Sequence, residues 1–331
     1  SFFSLYHWLP FILFPKVLMI DLIQIIVGLA RLFYGGNFLV TGSVRLAHLL
    51  KISLFLIGST IIAFGTSTPE LAVSLLAAMN GTSELAMGNI IGSNVANICL
   101  VLGLTALICT ISIQPDRLKR ESPTFILASI SIIILAWDQE ISRYEGIFMV
   151  SLLGLYLWRS FSYKEDFSQI PDEDTTLFEG KGLIFHILLI VSGLVLVIGG
   201  AKLLVQGGVG IAIKLGVSEW FIGITIVAIG TSLPEIVSSL IAAKRGYGEM
   251  VIGNIFGSNI FNILMVLGLT ATTNPLNIKE PIQPDLIIAT LITWLLVAMI
   301  SYGNYSLGKQ NGIILLLVYF LYIGMKGTGN L

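Results

Sequence analysis

Charge is what this chain lacks most. Of its 331 residues only 11% are charged, against about a quarter in an ordinary soluble domain. No run of Lys or Arg occurs and the formal net charge is −1, so no electrostatic footprint for nucleic acid is present. Cysteine is scarce too. Cys99 and Cys109 are the only two, both in apolar stretches, which excludes a disulfide framework and implies no thiol chemistry. The three histidines all fall outside the polar motifs, and with cysteine also absent there, a zinc, copper or iron centre is disfavoured. What remains is apolar: 55% of residues are hydrophobic and the mean hydropathy is +0.92. Runs of about 20 apolar residues recur, each long enough to cross a lipid bilayer. The fold class is therefore an all-α polytopic membrane protein.

One stretch occurs twice. Residues 58–106 and 223–271 align without a gap and agree at well over half their positions. Glu70 pairs with Glu235, an offset of 235 − 70 = 165, and Asn97 pairs with Asn262 at the same offset. The recurring residues are polar: Gly-Thr-Ser-x-Pro-Glu, then Gly-Asn-Ile-x-Gly-Ser-Asn-x-x-Asn. Their surroundings are almost wholly apolar. An acidic residue inside an apolar helix is costly, and by default marks a functional site.

Taken in order, the chain predicts ten spanning helices, near residues 19–47, 54–79, 84–110, 122–137, 141–160, 182–214, 219–243, 249–273, 284–301 and 309–326. Residues 1–18 are aromatic, broken by Pro10 and Pro15, and read as an extension, non-native or interfacial, with Met19 opening the first helix. Residues 19–160 form a first five-helix repeat. Residues 161–181, rich in Asp, Glu and Lys, form a linker, and residues 182–331 form a second repeat. Eleven Lys and Arg, among them Arg45, Lys51, Arg117, Arg159 and Lys244, fall on the linker side, against five on the other. That bias puts the linker in the cytoplasm and both termini outside, extracellular or periplasmic. Five is odd, so the second repeat enters the membrane inverted. Inverted repeats with interrupted helices are the architecture of many secondary transporters, whose sites lie near mid-membrane.

The motifs supply that interruption. Pro69 and Pro234 lack an N–H and clash with the preceding turn. Ser67 with Glu70, and Ser232 with Glu235, also fit a capping box, in which Ser caps the new half-helix. Inside an apolar span a break is tolerated only where it is buried in protein or lines a cavity. Ser93 and Asn97 are four apart and share a helix face, as do Ser258 and Asn262. Asn89, Asn94, Asn254 and Asn259 read equally well as helix–helix packing groups. Every atom on offer is a hard oxygen. Ca2+ takes about six to eight such oxygens in a flexible shell, and two Glu neutralise one Ca2+. The same oxygens in smaller groups suit Na+.

These motifs, GTSTPE with GSNVAN and GTSLPE with GSNIFN, resemble the alpha-repeats of the Ca2+:cation antiporter superfamily, in particular its sodium/calcium exchanger branch. The resemblance spans roughly residues 19–326. It implies exchange of Ca2+ for Na+ by alternating access, with helices two, three, seven and eight forming the site while the first and sixth slide across it. It assigns Ca2+ to Glu70 and Glu235 with the carbonyls of Thr66 and Thr231. It assigns Na+ to these groups plus Ser67, Ser93, Asn97, Ser232, Ser258, Asn262 and the carbonyls of Ala63 and Ala228. Some prokaryotic and potassium-dependent members carry Asp where this chain has Asn262, which argues against K+ co-transport here. The large regulatory loop of animal exchangers is replaced by residues 161–181, which implies a prokaryotic cell (inner) membrane. No cofactor and no enzymatic activity are implied; Ca2+ and Na+ are the transported partners. The alternatives are H+/Ca2+ antiport within the same superfamily, a cation channel, and, with least support, a two-acid intramembrane hydrolase.

Overall fold

The computed structural model describes residues 3–162, 180–216 and 228–327, with side chains throughout except at residues 3–18 and 228. Most of the predicted linker and the first part of the predicted seventh helix lie outside the described residues.

Helix α1 runs Phe3–Leu50 without a break. The backbone is thus helical well before Met19, where the sequence predicts the first helix to open. Each proline removes one ladder bond, and the remaining bonds carry the helix on. Helices α2 (Leu54–Thr66) and α3 (Thr68–Met79) follow one another across a break of one residue, at an angle of 43°. The bend falls at Ser67, inside the Gly-Thr-Ser-x-Pro-Glu motif, as the proline and glycine there predict. Helix α4 (Ser83–Ile108) leads into the short strand β1 (Ile111–Ser112). Then come α5 (Pro115–Leu135), β2 (Glu140–Ile141) and α6 (Arg143–Ser162). The second half repeats the order: α7 (Leu183–Lys214), α8 (Ala228–Thr231), α9 (Leu233–Lys244) and α10 (Gly248–Thr273). Strand β3 (Leu276–Asn277), α11 (Gln283–Tyr302), β4 (Ser306–Leu307) and α12 (Lys309–Gly327) complete it.

Helices α4 and α10 form the centre. The most apolar stretch of α10 is 100% buried and that of α4 83%, against 33% for α1 and for α7. The outer surface is greasy, with Ile134, Trp158, Ile184 and Phe320 exposed. Contiguous apolar surface of that kind marks contact with lipid.

Contacts between the halves are reciprocal: β1 maps onto β3 at the offset of 165, as do the hydrogen bonds and glycine contacts below onto their mates, while β2 maps onto β4 at 166. Strand β1 pairs with β4 and β2 with β3, antiparallel in both cases. The Gln114 N–H donates to Glu249 Oε1 (3.3 Å), and the Lys279 N–H donates to Glu84 Oε1 (3.1 Å). Gly28 of α1 lies against Gly200 of α7, and Gly35 against Gly193. At each of these four glycines an added Cβ would sit 2.8 or 2.9 Å from the partner glycine's carbonyl oxygen, so only Gly allows the two backbones this approach.

Six described helices are long and apolar enough to cross a membrane, or seven if the bent α2–α3 pair counts as one span. The sequence predicts ten. Helix α5 opens with Asp116, Arg117, Lys119, Arg120 and Glu121, and α6 carries Arg143, Glu145 and Arg159. Helices α8 and α9 are the described remainder of the predicted seventh span.

Candidate ion site

Each copy of the motif breaks its helix at the serine. Ser67 and Ser232 stand at the N-cap positions of α3 and α9, where the capping-box reading puts them. Neither side chain caps the helix, however. Both hydroxyls are buried without a hydrogen-bond partner. The turn is held by backbone instead: the Leu71 N–H donates to the Ser67 carbonyl and the Ile236 N–H to the Ser232 carbonyl. The capping box is therefore overturned, and the serine hydroxyls stay available.

Glu70 and Glu235 follow in the first turns of α3 and α9, 2% and 1% exposed. Glu70 Oε2 and both carboxylate oxygens of Glu235 lack partners. The Ser93 hydroxyl lies beside the Glu70 carboxylate, and the Thr66 hydroxyl beside that of Glu235. A group of the first repeat thus faces a carboxylate of the second.

Helices α4 and α10 cross at four asparagines. Asn97 Nδ2 donates to Asn259 Oδ1 (3.2 Å), and Asn262 Nδ2 donates to Asn94 Oδ1 (3.0 Å). The two bonds exchange under the offset of 165. Asn94 and Asn259 are thereby packing groups, the role their positions equally suggest. The bonds use the amide hydrogens of Asn97 and Asn262, and Asn262 Oδ1 remains buried and unpartnered, as does Ser258 Oγ. Asn89 Nδ2 donates to Ser74 Oγ (2.9 Å) and to the Glu70 carbonyl (3.1 Å), tying α4 to α3. Asn254 Nδ2 repeats the tie to Ser239 Oγ at 3.5 Å.

Both asparagine crossings coincide with widened, π-type turns, at Asn97–Val101 and Asn262–Leu267. Such turns recur at functional sites. No proline or glycine signals them in the sequence, so spacing alone did not reveal them.

A cavity of about 300 Å3 reaches the site from the side of α3 and α12, lined by Val73, Leu85, Asn89, Ser93, Thr231, Ser232 and Tyr319. It brings Ser93 of one repeat together with Thr231 and Ser232 of the other. The Ala63 carbonyl already accepts the Ser67 N–H at 2.9 Å, whereas the Ser232 N–H goes to Ile229, not to Ala228. Among the described residues no group of three or more His, Cys, Asp or Glu converges. The centre is one of two carboxylates with neutral oxygens.

A buried oxygen-rich centre at paired helix breaks, inside a lipid-facing helical bundle, defines a membrane transporter of cations. The chain belongs to the sodium/calcium exchanger protein family, whose model matches it twice, over residues 20–162 and 185–327. The two matches are themselves 165 residues apart, 185 − 20. The chain is 31% identical to the inner membrane protein YrbG of Escherichia coli, covering 91% of this chain and 95% of that one. It is 29% identical to the sodium/calcium exchanger MaX1 of Methanosarcina acetivorans, over 93% and 98% of the two chains. Its fold matches the solved structure of the sodium-calcium exchanger NCX_Mj soaked with zero Na+ and Ca2+, with a TM-score of 0.81 and 32% identity over 92% of this chain and 98% of that one. The family is one of transporters, not of enzymes.

Proposed function

We propose that this protein exchanges Ca2+ for Na+ across a prokaryotic cell membrane by alternating access, using ten spanning helices arranged as two inverted five-helix repeats. The reciprocal contacts between the halves and the doubled family match support the inverted arrangement. The Lys and Arg bias supports a cytoplasmic linker with both termini outside.

One observation carries the choice of ligand. The buried oxygens without partners on Ser67, Glu70, Ser232, Glu235, Ser258 and Asn262 belong to residues of the two repeated motifs. A buried acceptor left unmatched costs about 1–3 kcal/mol, more when charged. Desolvated cations, divided among these oxygens, would satisfy them. On this reading Glu70 and Glu235 neutralise Ca2+, joined by the Thr66 and Thr231 carbonyls. Na+ is shared among the same carboxylates, the hydroxyls of Ser67, Ser93, Ser232 and Ser258, the amide oxygens of Asn97 and Asn262, and the carbonyls of Ala63 and Ala228. Protons on the two Glu would also offset one Ca2+, but they leave the ring of neutral oxygens without a use.

The deciding experiment is radiolabelled Ca2+ uptake into proteoliposomes under an imposed Na+ gradient, with a proton gradient as the control. Uptake driven by Na+ and not by H+ is the expected result; the reverse would establish H+/Ca2+ antiport. In the same assay Ser67→Ala and Ser232→Ala should each raise half-maximal Na+ roughly fivefold, the loss of about 1 kcal/mol from one neutral ligand. Half-maximal Ca2+ should move less, since two carboxylates still hold that ion. If Ca2+ affinity collapses while Na+ dependence stays put, these serines belong to the Ca2+ site.

A further inference from the structure

The two repeats match at the site but not where the α1–α7 pair leans on it. Arg245 ends α9. Its Nη1 donates to Thr41 Oγ1 (2.8 Å) and its Nη2 to Asn37 Oδ1 (2.6 Å), both on α1. Asn37 Nδ2 is turned the other way, donating to the Phe33 carbonyl at 2.8 Å, which fixes its oxygen toward the guanidinium. A planar fork with two donors on two acceptors holds a geometry that a lysine would not.

The packing beneath the fork has the same bias. Leu32, Val197 and Ala201 of the α1–α7 pair form a cluster with Leu233 and Val237 of α9. At Gly36 an added Cβ would meet Ile241 at 2.5 Å and Val237 at 2.7 Å. The offset of 165 shows what the first repeat has instead. Asn80 stands for Arg245, Lys202 for Asn37, and Gln206 for Thr41; Thr68, Ala72 and Leu76 stand for Leu233, Val237 and Ile241. That face of α3 is bare: Leu76 is 60% exposed and Met79 67%. The cavity that reaches Ser93 and Ser232 opens on this same α3 side, past Val73.

We propose that Arg245 is a positioning residue of the transport cycle. It latches α1 to α9, holds the α1–α7 pair over the second repeat's half-helix, and so sets the resting preference for the arrangement whose cavity opens beside α3. With Asn80, Lys202 and Gln206 at the mirror positions, the fork itself has no equivalent, so the two orientations are unequal in energy by design of the sequence. The inference rests on the alternating-access reading. A latch that contacts one orientation only shifts the population between two by its differential interaction.

The test compares two reporter cysteines related by the offset, Val73→Cys in the open cavity and Ser238→Cys on the covered side, after Cys99→Ala and Cys109→Ala. Labelling rates with a charged maleimide are measured on purified protein in proteoliposomes. With Arg245 intact, Val73→Cys should label fast and Ser238→Cys slowly. Arg245→Ala, and independently Asn37→Ala with Thr41→Ala, should slow the first and quicken the second, each about fivefold. Arg245→Lys should fall between. Installing the mirrored fork (Asn80→Arg, Lys202→Asn, Gln206→Thr) on Arg245→Ala should protect Val73→Cys further. Rates that stay unchanged would overturn the latch, and so would rates that rise together, the signature of a merely loosened fold. Na+-driven Ca2+ uptake by the parent protein separates the two readings: its absence would sink the exchanger assignment, whereas its presence with unmoved labelling would sink the latch alone.

Discussion

Glu70→Gln and Glu235→Gln should each lower Ca2+ transport by roughly two orders of magnitude or more, within the span over which ligand charge tunes Ca2+ sites. The substitution keeps volume and one oxygen, so packing around α3 and α9 is preserved while half of the neutralising charge is lost. In a desolvated site that charge is worth far more than in water. The variants should therefore purify as monodisperse protein with little change in melting midpoint, since the ion pairs of the described residues, such as Arg117 with Glu249 and Lys326 with Asp285, do not involve either carboxylate. The measurement is initial Ca2+ flux under a Na+ gradient at saturating Ca2+. Flux near that of the parent in either variant would remove that carboxylate from the site.

The second large effect is steric. Gly257 lies where α10 crosses α2, and an added Cβ would sit 2.4 Å from the Ser59 carbonyl oxygen and 2.6 Å from its Cα. Those are backbone atoms, which have no rotamer to yield. Gly257→Ala should cost about 3 kcal/mol, at the upper end of ordinary overpacking. It should also push Ser258 and Asn262 away from the α2–α3 break, so surviving protein should transport poorly. Gly324→Ala on α12 is the matched control, because a Cβ there meets nothing within 4 Å. Its melting midpoint should hold or rise slightly, as Ala is the better helix former. A Gly257→Ala protein that melts like the parent would show that α2 and α10 are not packed this closely.

The candidate site was legible in the sequence because its motif was written twice. The offset of 165 pairs Glu70 with Glu235 and Asn97 with Asn262, and the same arithmetic accounts for the exchanged Asn97–Asn259 and Asn262–Asn94 bonds. The bend at Ser67 was legible from Pro69 and its neighbouring glycine. The fate of the serine side chain was not. A capping box and an ion ligand use the same Ser-x-x-Glu spacing, and only the orientation of the hydroxyl separates them. The π-type turns at Asn97 and Asn262 were hidden for a different reason. Their residues are ordinary helix residues, with no proline or glycine inside either turn. Among the described residues six helices, or up to seven, are long and apolar enough to cross a membrane by composition alone, and α5 and α6, which carry charge at their ends, are not among them. In the sequence Arg245 is only one of the eleven Lys and Arg on the linker side. Its role became visible only when the structure set it against Asn37 and Thr41 and the repeat set it against Asn80.

The most direct measurement is anomalous diffraction from crystals of the protein soaked in Sr2+, a heavier stand-in for Ca2+. A single strong peak should lie between Glu70 and Glu235, in contact with the carbonyls of Thr66 and Thr231, and should vanish in Glu70→Gln crystals. A peak elsewhere in the bundle, or one that survives loss of Glu70, would contradict the two-carboxylate site.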